Sequence, residues 1–194
     1  AGRTGRRAPL PSRAGGAVRL HGGPPRGRLC AVSEAVPPVP RVITRWRREG
    51  PGAVVLRLDC GHDRHVCHRP PLASFPWAKD DAACEARVGA AIECLRCGQR
   101  LVPEGAAPYR RTDTFDERTL PKGLLGAHST KAGTWGRVWV EQGELRVWFM
   151  PPLSHEAVGR PGSPIAIPPQ LQHQVRLGGP VRFHVEFLRV PDDG

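Results

Sequence analysis

The sequence predicts a mainly β protein: a small barrel over residues 112–194, preceded by a Cys/His-rich α+β module and a basic arm without regular structure. Three observations carry this reading. Two runs alternate with period two, the mark of half-buried strands. In the first, Val138 and Val140 oppose Arg137, Trp139 and Glu141; in the second, Val181, Phe183, Val185 and Phe187 oppose Arg182, His184, Glu186 and Leu188. The 22 Pro and 23 Gly among 194 residues favour short strands and turns over helix bundles. Four of the six cysteines (Cys60, Cys67, Cys94 and Cys97) lie among histidines, which suggests metal ligation.

Residues 1–40 form the arm. The first 50 residues hold eleven Arg and two Glu, whereas residues 51–107 carry seven basic and seven acidic side chains and residues 108–194 carry eleven and nine. The net charge of +11 therefore belongs mostly to the arm. With almost no large apolar residues, the arm cannot bury enough surface to offset its ordering entropy, and disorder is expected. Such an arm suits nonspecific contact with nucleic acid or another acidic surface. The plainer reading is a solvated tail, favoured because aromatic stacking partners are absent. No run approaches the roughly 18 apolar residues of a membrane span. Arg3, Arg6 and Arg7 are not followed by the apolar core, about 7–15 residues long, of a signal peptide. The expected location is cytoplasmic, where cysteines serve metal or redox chemistry more than disulfides.

Residues 41–102 read as a compact module. Val42-Ile43 and Ala53–Leu58 are predicted strands, joined by the turn-forming stretch Arg48-Glu49-Gly50-Pro51-Gly52. The second strand runs into Cys60-Gly61-His62, followed by His65, Cys67 and His68. Asp80 or Asp81 can cap a helix running through Ala82, Ala83, Val88 and Ile92, which delivers Cys94-Leu95-Arg96-Cys97-Gly98. Two thiolates at this spacing can grip one Zn²⁺, and Cys60 and His62 can complete a tetrahedron, with His65 or His68 as alternates for the fourth place. A structural zinc site would compensate for a thin core. A redox CxxC and a set of unmetallated thiols are the competing readings; the βαβ pattern of a thioredoxin-like fold is missing.

Residues 103–111, PEGAAPYRR, read as a linker, and 112–194 as all β. There Arg137–Glu141, a turn at Gly143 and an antiparallel return over Leu145–Phe149 form the expected opening hairpin. The apolar run Pro164–Pro169, then Gln170–Val175 and a last strand over 181–190 follow. His155 is expected in a loop.

Two resemblances add to this reading. CGHDRHVCHRPP (60–71), Pro76-Trp77 and CLRC (94–97) resemble a small bacterial family of unknown function, which implies no activity. Thr119-Leu120-Pro121, HSTKAGTWGRVWVEQGEL (128–145), IPPQLQHQV (167–175) and VRFHVEFLRVP (181–191) resemble the small cupin domain shared by YeaR-like proteins and the N-terminal part of TehB-type tellurite-resistance proteins. That resemblance implies a cupin-type barrel (a double-stranded β-helix), a setting of tellurite, other oxyanion, nitrate or nitrosative stress, and binding of a divalent metal. The first module is then zinc-ribbon-like. The glycine-rich S-adenosylmethionine loop of TehB-type enzymes is missing, so methyl transfer is not implied.

The usual metal cupin supplies two histidines and an acid from its first motif and a histidine from its second. Here only His128 and His173 stand at those places. A third donor is needed for firm binding, with His184 and Glu186 as candidates, and Lys131 beside His128 could attract an anion. The expectation is a metal- or small-ligand-binding stress-response protein, with a homodimer through an edge strand. The alternatives are a metal-dependent oxygenase or isomerase, and a zinc-module regulator that binds nucleic acid.

Overall fold

In the computed structural model the chain divides into two units, Ala1–Glu34 and Ala35–Gly194. The structure describes Ala1 and residues 36–191. The predicted arm lies outside the described residues as far as residue 35, apart from Ala1. No helix among the described residues is long and apolar enough to cross a membrane.

Strands β1 (Val39–Gly50), β2 (Ala53–Leu58), β3 (Asp63–Cys67) and β4 (Ala91–Cys94) form one antiparallel sheet in the order β3-β2-β1-β4. The β1–β2 hairpin closes where Gly50 pairs with Ala53, and Gly52 takes φ +67° at the turn. Its alternating Val39, Ile43, Val54, Leu56 and Leu58 are buried.

The helix expected through Ile92 is a single turn, α1 (Asp81–Glu85). Asp80 caps it as expected, its Oδ1 accepting the Ala83 N–H at 2.8 Å. The chain then turns at Gly89, φ +88°, and the Gly89 N–H donates to the Ile43 carbonyl. From there the backbone adds to the open edge of β1, so Cys94 arrives on a strand and not on a helix. One further turn, α2 (Leu95–Gly98), carries Cys97. Gly98 packs so closely that a Cβ there would lie 2.2 Å from the Pro37 carbonyl oxygen.

The remaining strands form a curled half-barrel of two antiparallel sheets. After a short helix, α3 (Lys122–Leu125), come β6 (Thr134–Gln142), β7 (Leu145–Phe149), β8 (His155–Gly159), β9 (Ile165–Ile167), β10 (His173–Leu177) and β11 (Arg182–Arg189). Residues 107–111, expected within the linker, are a strand, β5 (Ala107–Arg111), that covers the edge of β11. The sheet orders are β5-β11-β6-β9 and β10-β7-β8.

The expected β6–β7 hairpin does not form. Both edges of β6 are taken, by β11 and β9, so Gly143 (φ +78°) sends the chain into the other sheet. A Cβ on Gly143 would sit 2.3 Å from the Pro180 carbonyl oxygen, so the corner is closed by backbone packing as well as by φ. β8, with the exposed His155 as its first residue, pairs with β7 where a loop is expected.

Alternation along β6 and β11 decides which side chains meet. Gly136, Val138, Phe183, Val185 and Phe187 border the hollow of the half-barrel. Trp135, Arg137 and Trp139 stand on the other face of β6 and pair in register with Leu188, Glu186 and His184. At the Trp135–Leu188 end that outer face is covered by the Cys60–His62 turn, where Trp135 and Leu188 are fully buried. A Cβ on Gly61 would collide with Val190, so this glycine permits the close approach.

Candidate metal centre and histidine pocket

Cys60 and His62 leave the end of β2 in a tight turn, with the Gly61 N–H donating to the Leu58 carbonyl at 2.8 Å. Cys94 ends β4, and α2 bends back to present Cys97. The four side chains are buried, and their ligand atoms all lie within 4.8 Å of one another. His62 Nδ1 is 3.5, 3.4 and 3.7 Å from the Sγ atoms of Cys60, Cys94 and Cys97, and Cys60 Sγ is 4.0 Å from Cys94 Sγ. Tetrahedral zinc, with Zn–S of about 2.3 Å and Zn–N of about 2.0–2.1 Å, requires S···N and S···S edges of about 3.6 and 3.8 Å. The four side chains fit a metal such as zinc.

Without a cation the three thiols cannot all ionise side by side. Hydrogen bonding from Cys60 and Cys97 holds the Cys94 thiol well below the usual range. The Cys60 thiol is pushed up to about 12, first by its hydrogen bond to Cys94, and the Cys97 thiol is pushed up by its bonds to the other two. A divalent cation would remove this conflict by stabilising all three thiolates.

Among the described residues, five buried side-chain atoms lack a hydrogen bond: Arg41 Nε and Nη2, Asp59 Oδ1, His62 Nε2 and Thr130 Oγ1. The first four belong to the neighbourhood of the centre. Arg41 lies two residues along β1 from Val39, the partner of Cys94, and the Asp59 N–H donates to the carbonyl of Val42 beside it. Only Arg41 Nη1 is used, donating to the Pro169 carbonyl at 2.8 Å. Burial pushes the Asp59 carboxyl up, against the pull of the Arg41 charge. Three thiolates on one divalent cation would leave a net negative charge, and Arg41, a buried positive charge whose pull also acts on the Cys97 thiol, would offset it. Nothing in the sequence marks Arg41 out among the other arginines of β1.

His65 and His68, the alternates for the fourth ligand, are used elsewhere. His65 Nδ1 is 2.9 Å from Glu49 Oε2 at the surface. His68 Nδ1 accepts the Phe75 N–H at 3.1 Å, capping the backbone. Cys67 is only half-buried and stands outside the cluster.

The second site is a cavity of about 510 Å³ inside the half-barrel, bordered by His128, His173 and an apolar wall that includes Phe115, Val138, Phe183 and Phe187. His128 and His173 exchange both backbone hydrogen bonds, at 2.9 and 2.8 Å, and their ring centroids are 4.2 Å apart. His128 Nδ1 is 3.0 Å from the Gly126 carbonyl and His173 Nδ1 is 2.8 Å from the Leu171 carbonyl. A carbonyl only accepts, so each Nδ1 carries the proton, and a neutral ring then keeps its lone pair on Nε2. Burial pushes His173 down to about 4, so it is neutral at physiological pH.

The proposed third donors do not join this pair. His184 and Glu186 are on the outer face of β11, where His184 Nδ1 is 2.9 Å from Glu141 Oε1 and Glu186 Oε2 accepts the Trp139 indole N–H at 2.7 Å. Period two places them opposite Val185 and Phe187, which border the cavity. Lys131 is exposed and does not border the cavity either. The only group of three or more metal-ligating side chains among the described residues is the Cys60 cluster.

Two family models match separate stretches of the chain. Residues 110–185 match a family model described as a TehB-like domain, and residues 45–101 match one described as a protein of unknown function (DUF3565). A comparison with curated proteins returns no match. A solved structure from Escherichia coli (strain K12) is similar at 19% identity over 47% of this chain and 88% of that one, with a TM-score of 0.45. TehB from Haemophilus influenzae is similar at 24% identity over 45% of this chain, with a TM-score of 0.41. The match spans about a third of TehB, 32% of its length. The chain thus joins, in this order, a segment matching the family of unknown function and a segment matching the TehB-like domain.

Proposed function

We propose that the protein is a small-ligand-binding cupin protein, stapled by a structural zinc ion at Cys60, His62, Cys94 and Cys97, that takes its ligand in the His128/His173 cavity. The TehB-like match supports a setting of tellurite resistance. The observation that carries the binding role is the cavity itself: about 510 Å³, mostly apolar, with two imidazoles oriented by backbone carbonyls. That volume lies in the range of small-molecule sites, in which a few fixed polar groups set orientation.

A second reading, a metal-dependent oxygenase or isomerase, is favoured by one feature. A metal-binding histidine typically gives its other ring N–H to a carbonyl or carboxylate, and both histidines do so here. Against it stands the missing third donor, since two imidazoles alone hold a divalent ion weakly.

Elemental analysis of the purified protein and of its His128→Ala/His173→Ala double variant decides between them. One zinc per chain in both samples, with no other metal, supports the binding protein. A second metal that disappears in the double variant supports the enzyme. Absence of bound zinc after reconstitution under reducing conditions would refute the zinc reading.

A further inference from the structure

Resting on the proposed binding role of the His128/His173 cavity, we infer that its ligand is a neutral aromatic molecule carrying one O–H or N–H donor, of the phenol or indole type, and not an oxyanion.

The polar groups on the cavity wall decide this. With both Nδ1–H groups spent on Gly126 and Leu171, the neutral rings of His128 and His173 offer Nε2 as an acceptor. The Thr112 hydroxyl is also spent: it donates to the Asp113 carbonyl at 2.8 Å and accepts the Val185 N–H at 3.0 Å. Arg110 borders the cavity but is exposed, so its charge is solvated, and Lys131 stands outside the lining. An oxyanion buried here would face imidazole lone pairs and apolar walls; the remaining side-chain hydroxyls on the wall, that of the exposed Ser129 and the buried, unpartnered one of Thr130, are neutral and too few to replace its hydration. Moving a charge into such surroundings unpaired costs several kcal/mol or more.

A neutral O–H or N–H meets the opposite situation, because an imidazole Nε2 is the acceptor it needs. The walls select the remainder of the molecule. Phe115 and Phe183 already pack edge to face, with centroids 5.7 Å apart, and Phe187 borders the same space. Aromatic rings favour such edge-to-face and offset contacts with a further ring. The apolar body of the ligand lies against these side chains while its donor reaches the histidine pair.

The test is a titration of the full chain, followed by isothermal calorimetry and by the histidine ring signals in NMR. The probes are phenol, indole, toluene, tellurite and nitrite. Phenol or indole is expected to saturate at one per chain, at least tenfold more tightly than toluene. His128→Leu is expected to abolish that advantage, so that toluene then binds at least as well as phenol. Val138→Trp, which fills the cavity from β6, should remove binding of all three. Tellurite and nitrite should give no saturable shift of the His128 and His173 signals. Saturable binding of tellurite or nitrite, lost in His128→Leu, would overturn the ligand class while leaving the ligand site intact. Equal binding of toluene and phenol would overturn the donor requirement. No saturation by any probe would overturn this inference and the binding role together.

Discussion

Trp135→Phe tests how the metal-ligand cluster and the half-barrel are joined. Trp135 is fully buried, its indole N–H donates to the Cys60 carbonyl at 2.8 Å, and its ring meets His62 edge to face at 5.5 Å. Phenylalanine keeps an aromatic ring but removes the donor. The Cys60 carbonyl is then buried without it, a loss of about 1–3 kcal/mol. The smaller ring also leaves a space of roughly 40 Å³, which adds about 1 kcal/mol at ~24 cal/mol per Å³. The sum is about 2–4 kcal/mol, or a fall in Tm on the order of 10 °C for a chain of this size. Urea unfolding followed by circular dichroism reads the stability, and the rate at which a chelator removes zinc reads the centre. Both should change if zinc is bound as proposed, since the carbonyl belongs to a residue of the candidate cluster. A loss below about 0.5 kcal/mol with an unchanged rate of zinc release would refute the claim that this bond fixes the Cys60–His62 turn.

Arg41→Gln can keep a hydrogen bond to Pro169 but removes the buried charge, so it should speed zinc release to a chelator several-fold, whereas Arg41→Lys should restore retention in part; equal rates in all three proteins would contradict charge compensation. In metal-free protein, His173 should confer a pH dependence on stability. Its folded value of about 4 lies below the ordinary 6.5, so its contribution is complete above about pH 6.5 and is lost as pH falls towards 4. The loss is on the order of 2–3 kcal/mol, and a His173→Leu variant should lack it in urea titrations at pH 7 and pH 4.5. Gly143→Ala should destabilise more than Gly162→Ala, because both glycines have φ near +80° but only Gly143 would place its Cβ against backbone, at Pro180. The left-handed conformation alone costs about 1–2 kcal/mol, so the excess of Gly143→Ala over that value in urea midpoints measures the collision.

Much of the fold was legible because strand periodicity is local. The faces of β6 and β11 follow from alternation in the chain, and the structure puts Phe183, Val185 and Phe187 on the cavity side and His184 and Glu186 on the other. The pairing of strands was less legible. The Gly143 turn reads as a hairpin, but whether β6 and β7 pair depends on β9 and β11, which reach β6 from later in the chain. Residues 86–94 have an apolar spacing that a helix accommodates, yet the open edge of β1 draws 91–94 into a strand. A modest local preference for helix is small beside a row of ladder hydrogen bonds.

By itself the sequence determined the chemistry available: three thiols and an imidazole at zinc-ligand spacing, one histidine ahead of a strand and another within one, and alternating runs with one apolar face each. Those depend on residue type and on separations of a few positions. Only the tertiary structure decided which groups meet. It brought Cys60 and His62 to Cys94 and Cys97, buried Arg41 where its charge acts on Cys97, and seated Trp135 over the Cys60 carbonyl. It also left His184 and Glu186 bonded to Glu141 and Trp139, away from His128 and His173. These outcomes depend on which strands share an edge, a choice made by burial and backbone pairing over long separations, and no short window of residues contains it.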